Sequence, residues 1–170
     1  MSKSVPRKNN ASVISILLFS FVLLLPGVAA SQAGKQSLPV PNTTLQPVDV
    51  VKIILDALAN NDTPYPDAGI ETTFNFASPA NKANTGPLER FTSMVKGPVF
   101  GSMVGHKSYE VSEVVMKEYL AYQVVRLITA KGATVHFAFR LGLQNEGEFK
   151  GMWMTEAVWP LEEIVEGIDV

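Results

Sequence analysis

The chain has 170 residues, 46% of them apolar, with 14 basic and 16 acidic side chains and no cysteine. That is one domain, or one domain plus an appendage, and a domain of this size buries about two thirds of its unfolded surface without needing a disulfide or a metal. The missing cysteines exclude disulfides, thiolate zinc sites, iron–sulfur clusters and a thiol nucleophile.

The amino terminus has three parts. Lys3, Arg7 and Lys8 form a positive head, Val13 to Leu25 (VISILLFSFVLLL) is an uncharged apolar run, and Pro26-Gly27 leads into the small residues of VAASQA. This is the pattern of a secretory signal peptide over residues 1–30, with cleavage after Ala30 or Ala33. An uncleaved membrane anchor is the alternative, but spanning a bilayer takes about 20 apolar residues, and Ala11 to Ala30 barely reaches that with a proline inside. Without residues 1–30 the chain keeps 11 basic against 16 acidic side chains, a net charge of −5. Such a balance argues against a nucleic-acid partner and against an anionic membrane surface once the signal is cleaved.

Residues 31–46 are polar with two prolines and read as a linker. The spacing of Val48, Val51, Leu55 and Leu58 predicts a first helix that starts at Pro47 and stops at a left-handed Asn60-Asn61. Pro64 and Pro66 break the chain. Asp67 then precedes the apolar pair Ile70 and Phe74. It reads as the N-cap of a second helix, Ala68 to about Ala77, rather than as a catalytic carboxylate. Ser78 to Gly86 (SPANKANTG) reads as loop by composition. Pro87 opens a third short helix carrying Leu88, Phe91 and Val95, which stops at Gly97.

From His106 onward the period falls to two. Strands are predicted at Tyr109–Met116, Tyr119–Thr129, Thr134–Gln144 and Phe149–Trp159, and the acidic residues 161–170 form a peripheral tail. A two-residue turn at Lys131-Gly132 would put Tyr122, Val124, Arg126 and Ile128 on the apolar face with Phe137 and Phe139. The expected fold is α+β: three N-terminal helices packed on a four-stranded antiparallel sheet, within a domain at 47–160.

This order resembles the nuclear transport factor 2-like, or cystatin-like cone, superfamily. The stretches NNDTPYPDAGIETTFNFASPANKANTGPLERF, GHKSY and GMWMTEAVW are similar to an uncharacterised branch of it found in plants, algae and cyanobacteria. The resemblance covers roughly Pro47 to Trp159, and NDTPYPDAGI is its most specific piece. It implies a curved sheet with a pocket at the mouth of the cone, used across the superfamily by isomerases, dehydratases and binding or assembly domains. A photosynthetic origin would make the compartment the periplasm or the thylakoid lumen rather than the extracellular space.

Familiar catalytic motifs are missing from the sequence. GHKS lacks the spacing of a phosphate loop, and there is neither a Gly-x-Ser-x-Gly elbow nor a His-Glu-x-x-His helix. The histidines, His106 and His136, stand 30 residues apart, which points to no metal site, and no cofactor is expected. What remains is a set of pocket candidates: Tyr65, Asp67, Tyr122, Arg126, His136, Trp153 and Glu156, with Trp159 as a further aromatic. Arg126 on an apolar face would need an acid, Glu156 or Asp67, as a structural partner, or would anchor an anionic ligand. A three-residue turn at Asn145–Gly147 would set His136 opposite Glu156, whereas a two-residue turn would move Glu156 to the aromatic face.

Two functions compete on this reading. One is an exported binding or assembly module for a small apolar or anionic ligand or a protein partner. The other is a cofactor-independent isomerase or dehydratase, with Asp67, His136 or Glu156 as base and Tyr122 or Arg126 as the electrophilic partner. A homodimer paired through an open sheet face is a third expectation.

Overall fold

The computed structural model describes Met1 and residues 37–162. The predicted signal peptide and most of the tail lie outside these residues. Four helices come first: α1 (Pro47–Ala59), α2 (Ala68–Asn75), α3 (Pro79–Thr85) and α4 (Leu88–Val95). A short 3-10 turn, Gly101–Met103, leads into five strands: β1 (Ser108–Val111), β2 (Val115–Lys117), β3 (Leu120–Ile128), β4 (Thr134–Leu143) and β5 (Trp153–Leu161). All the strand pairings are antiparallel, in the order β1-β3-β4-β5, with β2 also on β3. The fold is therefore α+β. Among the described residues it has four helices rather than three, lying mid-chain rather than at the N-terminus, and five strands rather than four.

α1 starts at Pro47 as the sequence predicts, where a missing N–H costs nothing. The Asp49 carboxylate accepts the Gln46 N–H at 2.9 Å. Val50, Val51, Ile54, Leu55 and Leu58 are buried and form the helix's contribution to the core. The helix does not stop in the left-handed region: Asn60 has φ −112°, and both its backbone N–H and its side-chain amide donate to Asp56 O.

The corner at 60–67 works differently from the expectation. Asp67 occupies the N-cap position of α2, but at φ +65°, and its side chain caps nothing. Its carboxylate instead accepts from Asn61 Nδ2 at 3.0 Å and from Lys96 Nζ at 2.6 Å. The free amides of α2 are met from six residues upstream of Asp67: Asn61 O takes Gly69 N–H at 2.8 Å, and Asn61 Oδ1 takes Ile70 N–H at 3.1 Å. Asn61 is itself buried, so it joins the end of α1 to the start of α2 through groups that water does not reach. Gly69 lets the two helices touch. A Cβ there would lie 2.1 Å from Ala57 O and 2.8 Å from Asn61 Cα, both backbone atoms.

The stretch expected to be loop, 78–86, contains α3. Ser78 is its N-cap, accepting Asn81 N–H at 3.1 Å, and Pro79 takes the first turn. That pair of signals was present in the sequence, but α3 buries no residue and so shows no apolar period.

The single strand expected at Tyr109–Met116 is two. Ser112 interrupts it: its hydroxyl oxygen accepts the Val124 N–H at 3.0 Å, and its carbonyl accepts from Gln123 Nε2 at 2.8 Å. The β3–β4 loop holds three residues, Ala130-Lys131-Gly132, not two. Thr129 N–H donates to Ala133 O, Gly132 N–H donates to Thr129 O, and Gly132 sits at φ +88°. The extra residue flips the parity of β3. Ala121, Gln123, Val125 and Leu127 face the helices opposite Leu141, Phe139, Phe137 and Val135, while Tyr122, Val124, Arg126 and Ile128 face outward. β5 begins at Trp153, four residues later than predicted, because Gly147 and Gly151 at positive φ extend the turn.

Gly69→Ala should lower unfolding stability in urea by about 3 kcal/mol, since backbone rather than a movable side chain stands in the way. Asn61→Ala should cost about 1–2 kcal/mol by leaving the buried Ile70 amide unmet, against no more than about 1 kcal/mol for Asp67→Asn. The hydrogen bonds from Lys96 and then Asn61 hold the Asp67 carboxyl below its ordinary 3.8. Its stabilisation is present above that value and lost as pH falls through the depressed folded value. The Asp67→Asn deficit should therefore be seen at neutral pH and close below about pH 4 in matched melting curves.

Candidate functional site

A cavity of about 290 Å³ lies between the helices and the β4–β5 end of the sheet. Its walls are apolar: Ile54 and Leu58 from α1, Phe91, Met94 and Val95 from α4, Phe100 and Met103 from the following turn, and Phe139 and Val158 from the sheet. The polar part of its lining comes from Thr73 of α2, from Asn81, Asn84 and Thr85 of α3, and from Thr155 and Glu156 of β5.

The β5 side is built by an unusual junction. Residues 76–78 run beside β5 and exchange backbone bonds with one residue of it. Thr155 N–H donates to Phe76 O at 2.8 Å, and Ser78 N–H donates to Thr155 O at 3.0 Å. Asn81 Nδ2 adds a second donor to Thr155 O at 3.0 Å. These bonds tie the start of α3 to the sheet. β5 also carries an irregularity at this point, where register shifts between Arg140 and Leu141 and Glu156 is the extra residue.

The Glu156 carboxylate accepts from Ser78 Oγ at 2.9 Å on one oxygen and from Gln144 Nε2 at 3.0 Å on the other. Gly142 makes the room: a Cβ there would lie 2.7 Å from Glu156 Oε1 and 3.0 Å from its Cγ. Ser78, fully buried, thus caps α3 and holds Glu156 with the same hydroxyl.

Of the seven residues the sequence singled out, Glu156 alone lines this cavity. Arg126 is not on the apolar face. It points outward, half exposed, and pairs with Glu110 at 3.3 Å across β1 and β3. The three-residue loop before β4 accounts for the reversal, and the desolvation cost that demanded a buried acid does not arise. His136 faces Arg126 and Leu161 rather than Glu156, because the β4–β5 loop is longer than either turn considered. Tyr122 lies on the outward-facing row with Arg140. Tyr65 sits on the exposed corner, where its hydroxyl donates to Glu71 at 2.8 Å. Asp67 is engaged by Lys96 and Asn61. Trp153 is a core residue beside Leu143, and Trp159 stands on the outer face in a row with Ala138 and Val124. No acid–base pair drawn from Asp67, His136, Glu156, Tyr122 and Arg126 converges on the cavity. Among the described residues, no group of three His, Asp or Glu is placed to hold a metal ion.

The polar lining residues that sequence reasoning missed are Asn81, Asn84, Thr85 and Thr155, together with Thr73 of α2. The first three were hidden in the stretch read as loop. Thr155 is an ordinary β-branched strand residue, with nothing in its sequence context to mark it.

The geometry stands without support from known proteins. No family model matches the chain, and neither the curated proteins nor the solved structures yield a match. No helix among the described residues is long and apolar enough to cross a membrane.

The packing of Glu156 over Gly142 is testable by a double-mutant cycle. Gly142→Ala should displace the carboxylate from Ser78 and Gln144 and cost about 1–2 kcal/mol. In a Glu156→Ala background the same change should cost little, giving a coupling of about 1 kcal/mol in urea unfolding.

Proposed function

We propose that this chain is an exported binding module of the nuclear transport factor 2-like type, which holds a small apolar ligand in the cavity between its helices and its sheet. The observation that carries this reading is the cavity itself. It is about 290 Å³ in volume and mostly apolar, and only a few polar groups enter its lining. That is the usual composition of a small-molecule site. Its volume is close to twice the roughly 150 Å³ that accommodates benzene in an engineered cavity. The anionic ligand considered from the sequence loses its anchor, since Arg126 is on the outer face. The isomerase or dehydratase alternative loses its paired acid and base in the same way. Export rests on the sequence pattern of residues 1–30, and the cone architecture rests on the resemblance of Pro47 to Trp159.

A second reading, self-pairing, is favoured by the outer sheet face. Val124 and Trp159 are exposed on one row across β3, β4 and β5, and Val115 is exposed beside Tyr122. An apolar strip of this kind fits a second copy of the chain.

Native mass spectrometry of the protein purified from its own source tests both. The expected result is a chain shortened by about 30 residues that carries a reproducible small-molecule adduct. Val158→Phe, which fills the cavity from β5, should lose the adduct and keep its melting temperature. The unsubstituted protein at its bare chain mass, with no adduct, would overturn the binding reading, and a dimer mass would support the pairing.

A further inference from the structure

We propose that the outward face of the sheet is the seat of the chain's own acidic carboxy-terminal segment, residues 162–170, which lies over Val124 and Trp159. This goes beyond the pairing reading: a segment of the same chain covers the apolar strip, and a second copy would have to displace it.

Val124 is 41% exposed and Trp159 37%, and Ala138 between them completes a row across β3, β4 and β5. Large apolar side chains aligned in this way mark a surface that packs against something. Leu161, two residues after Trp159, stands on the same side, opposite His136. The chain therefore leaves the sheet beside the strip. From Leu161, Val124 is two strand spacings across and two residues back, about 12 Å away. Residues 162–170 reach about 30 Å when extended and about 13 Å when helical, so they span the strip in either form.

The composition of the segment matches the face. In the sequence, Ile164, Val165 and Ile168 follow Leu161 at spacings of three, four and seven, which would place all four on one side of a helix. Glu162, Glu163, Glu166 and Asp169 fall between them, and the segment holds no base. The end of the sheet where it emerges is basic. Arg126 and His136 face each other on the outward side, and the exposed Lys107 and Lys131 flank them at the start of β1 and in the β3–β4 loop. Glu110, paired with Arg126 at 3.3 Å, offsets one of these charges. The acids of the segment are thus drawn to the end of the sheet from which it departs, and its apolar residues meet the strip. Two copies of the chain have the opposite relation. Over residues 31–170 each carries 11 basic against 16 acidic side chains, so they repel.

NMR on the chain from Ser31 onward, with isotope-labelled methyl groups, tests this. Nuclear Overhauser cross-peaks are expected from the Ile164 and Ile168 methyls to the Trp159 indole and the Val124 methyls. They should be missing from an isotope-filtered mixture of labelled and unlabelled chains, which registers only contacts between copies. Ile164→Ser together with Ile168→Ser should remove the cross-peaks and open Trp159 to acrylamide quenching, while Trp153, the other tryptophan, stays buried and shielded. Glu162→Lys together with Glu163→Lys should weaken the same cross-peaks by setting like charges against Arg126 and its neighbours. Cross-peaks in the filtered mixture would place the segment on a second copy and overturn the inference. Cross-peaks missing from the unsubstituted chain, with Trp159 quenched equally in it and in the double-serine variant, would overturn it as well. Sedimentation of both proteins reads pairing independently, so a failure of the pairing reading leaves the cross-peaks as they are.

Discussion

Leu120–Ile128 and Thr134–Leu143 are joined through the Thr129–Ala133 pair, which encloses a three-residue loop, and Gly132 at φ +88° closes that loop. The inward face of β3 depends on this count. A strand has a side-chain period of two, so one residue more or less in the loop exchanges its faces. With three residues, Ala121, Val125 and Leu127 meet Leu141, Phe137 and Val135, and α1 and α4 have an apolar surface to cover. Thr129 reinforces the choice, since its hydroxyl oxygen accepts the Ala133 N–H at 3.0 Å. With two residues the same strand would bury Arg126 and expose Leu127. The core and the position of every polar residue on β3 follow from the loop.

Gln123 bears the cost of that arrangement. It is turned into the core with the apolar residues, 2% exposed, and its amide nitrogen reaches Ser112 O, while its amide oxygen has no partner among the described residues. The bond to Ser112 coincides with the break between β1 and β2. A polar residue forced inward by parity thus finds its partner where the neighbouring strand departs from regular pairing.

At the other end of the sheet, the cavity depends on how α3 is fastened. α3 has no apolar face of its own and buries nothing. Its position comes from Ser78, Asn81 and the backbone of Thr155, a set of hydrogen bonds between residues more than 70 apart in sequence. Those bonds satisfy the backbone groups of Thr155 and leave its hydroxyl facing the core side. Glu156, the extra residue of the β5 irregularity, is held by Ser78 and Gln144 over Gly142. The polar part of the cavity lining is therefore a by-product of the same contacts that hold the helix to the sheet.

The amino-acid sequence by itself determined the local elements. Pro47 and the apolar period of α1, the proline break after Asn61, Pro87 before α4 and the alternation of β4 all act over a few residues, and each was legible because its physics is local. The α+β class followed from helices preceding an alternating region. The face assignments and the site did not follow. They depend on loop lengths that shift register by one residue, on Asn61 taking over the capping that Asp67 was positioned to do, and on a helix whose stability comes from the strand it leans against. Thr155, Asn81 and Glu156 come together only because residues 76–78 lie beside β5, and a contact across that separation leaves no periodic trace in the chain. Tertiary structure alone decided where the cavity lies and which polar groups reach it, because hydrogen bonds between distant segments, rather than local propensity, put them there.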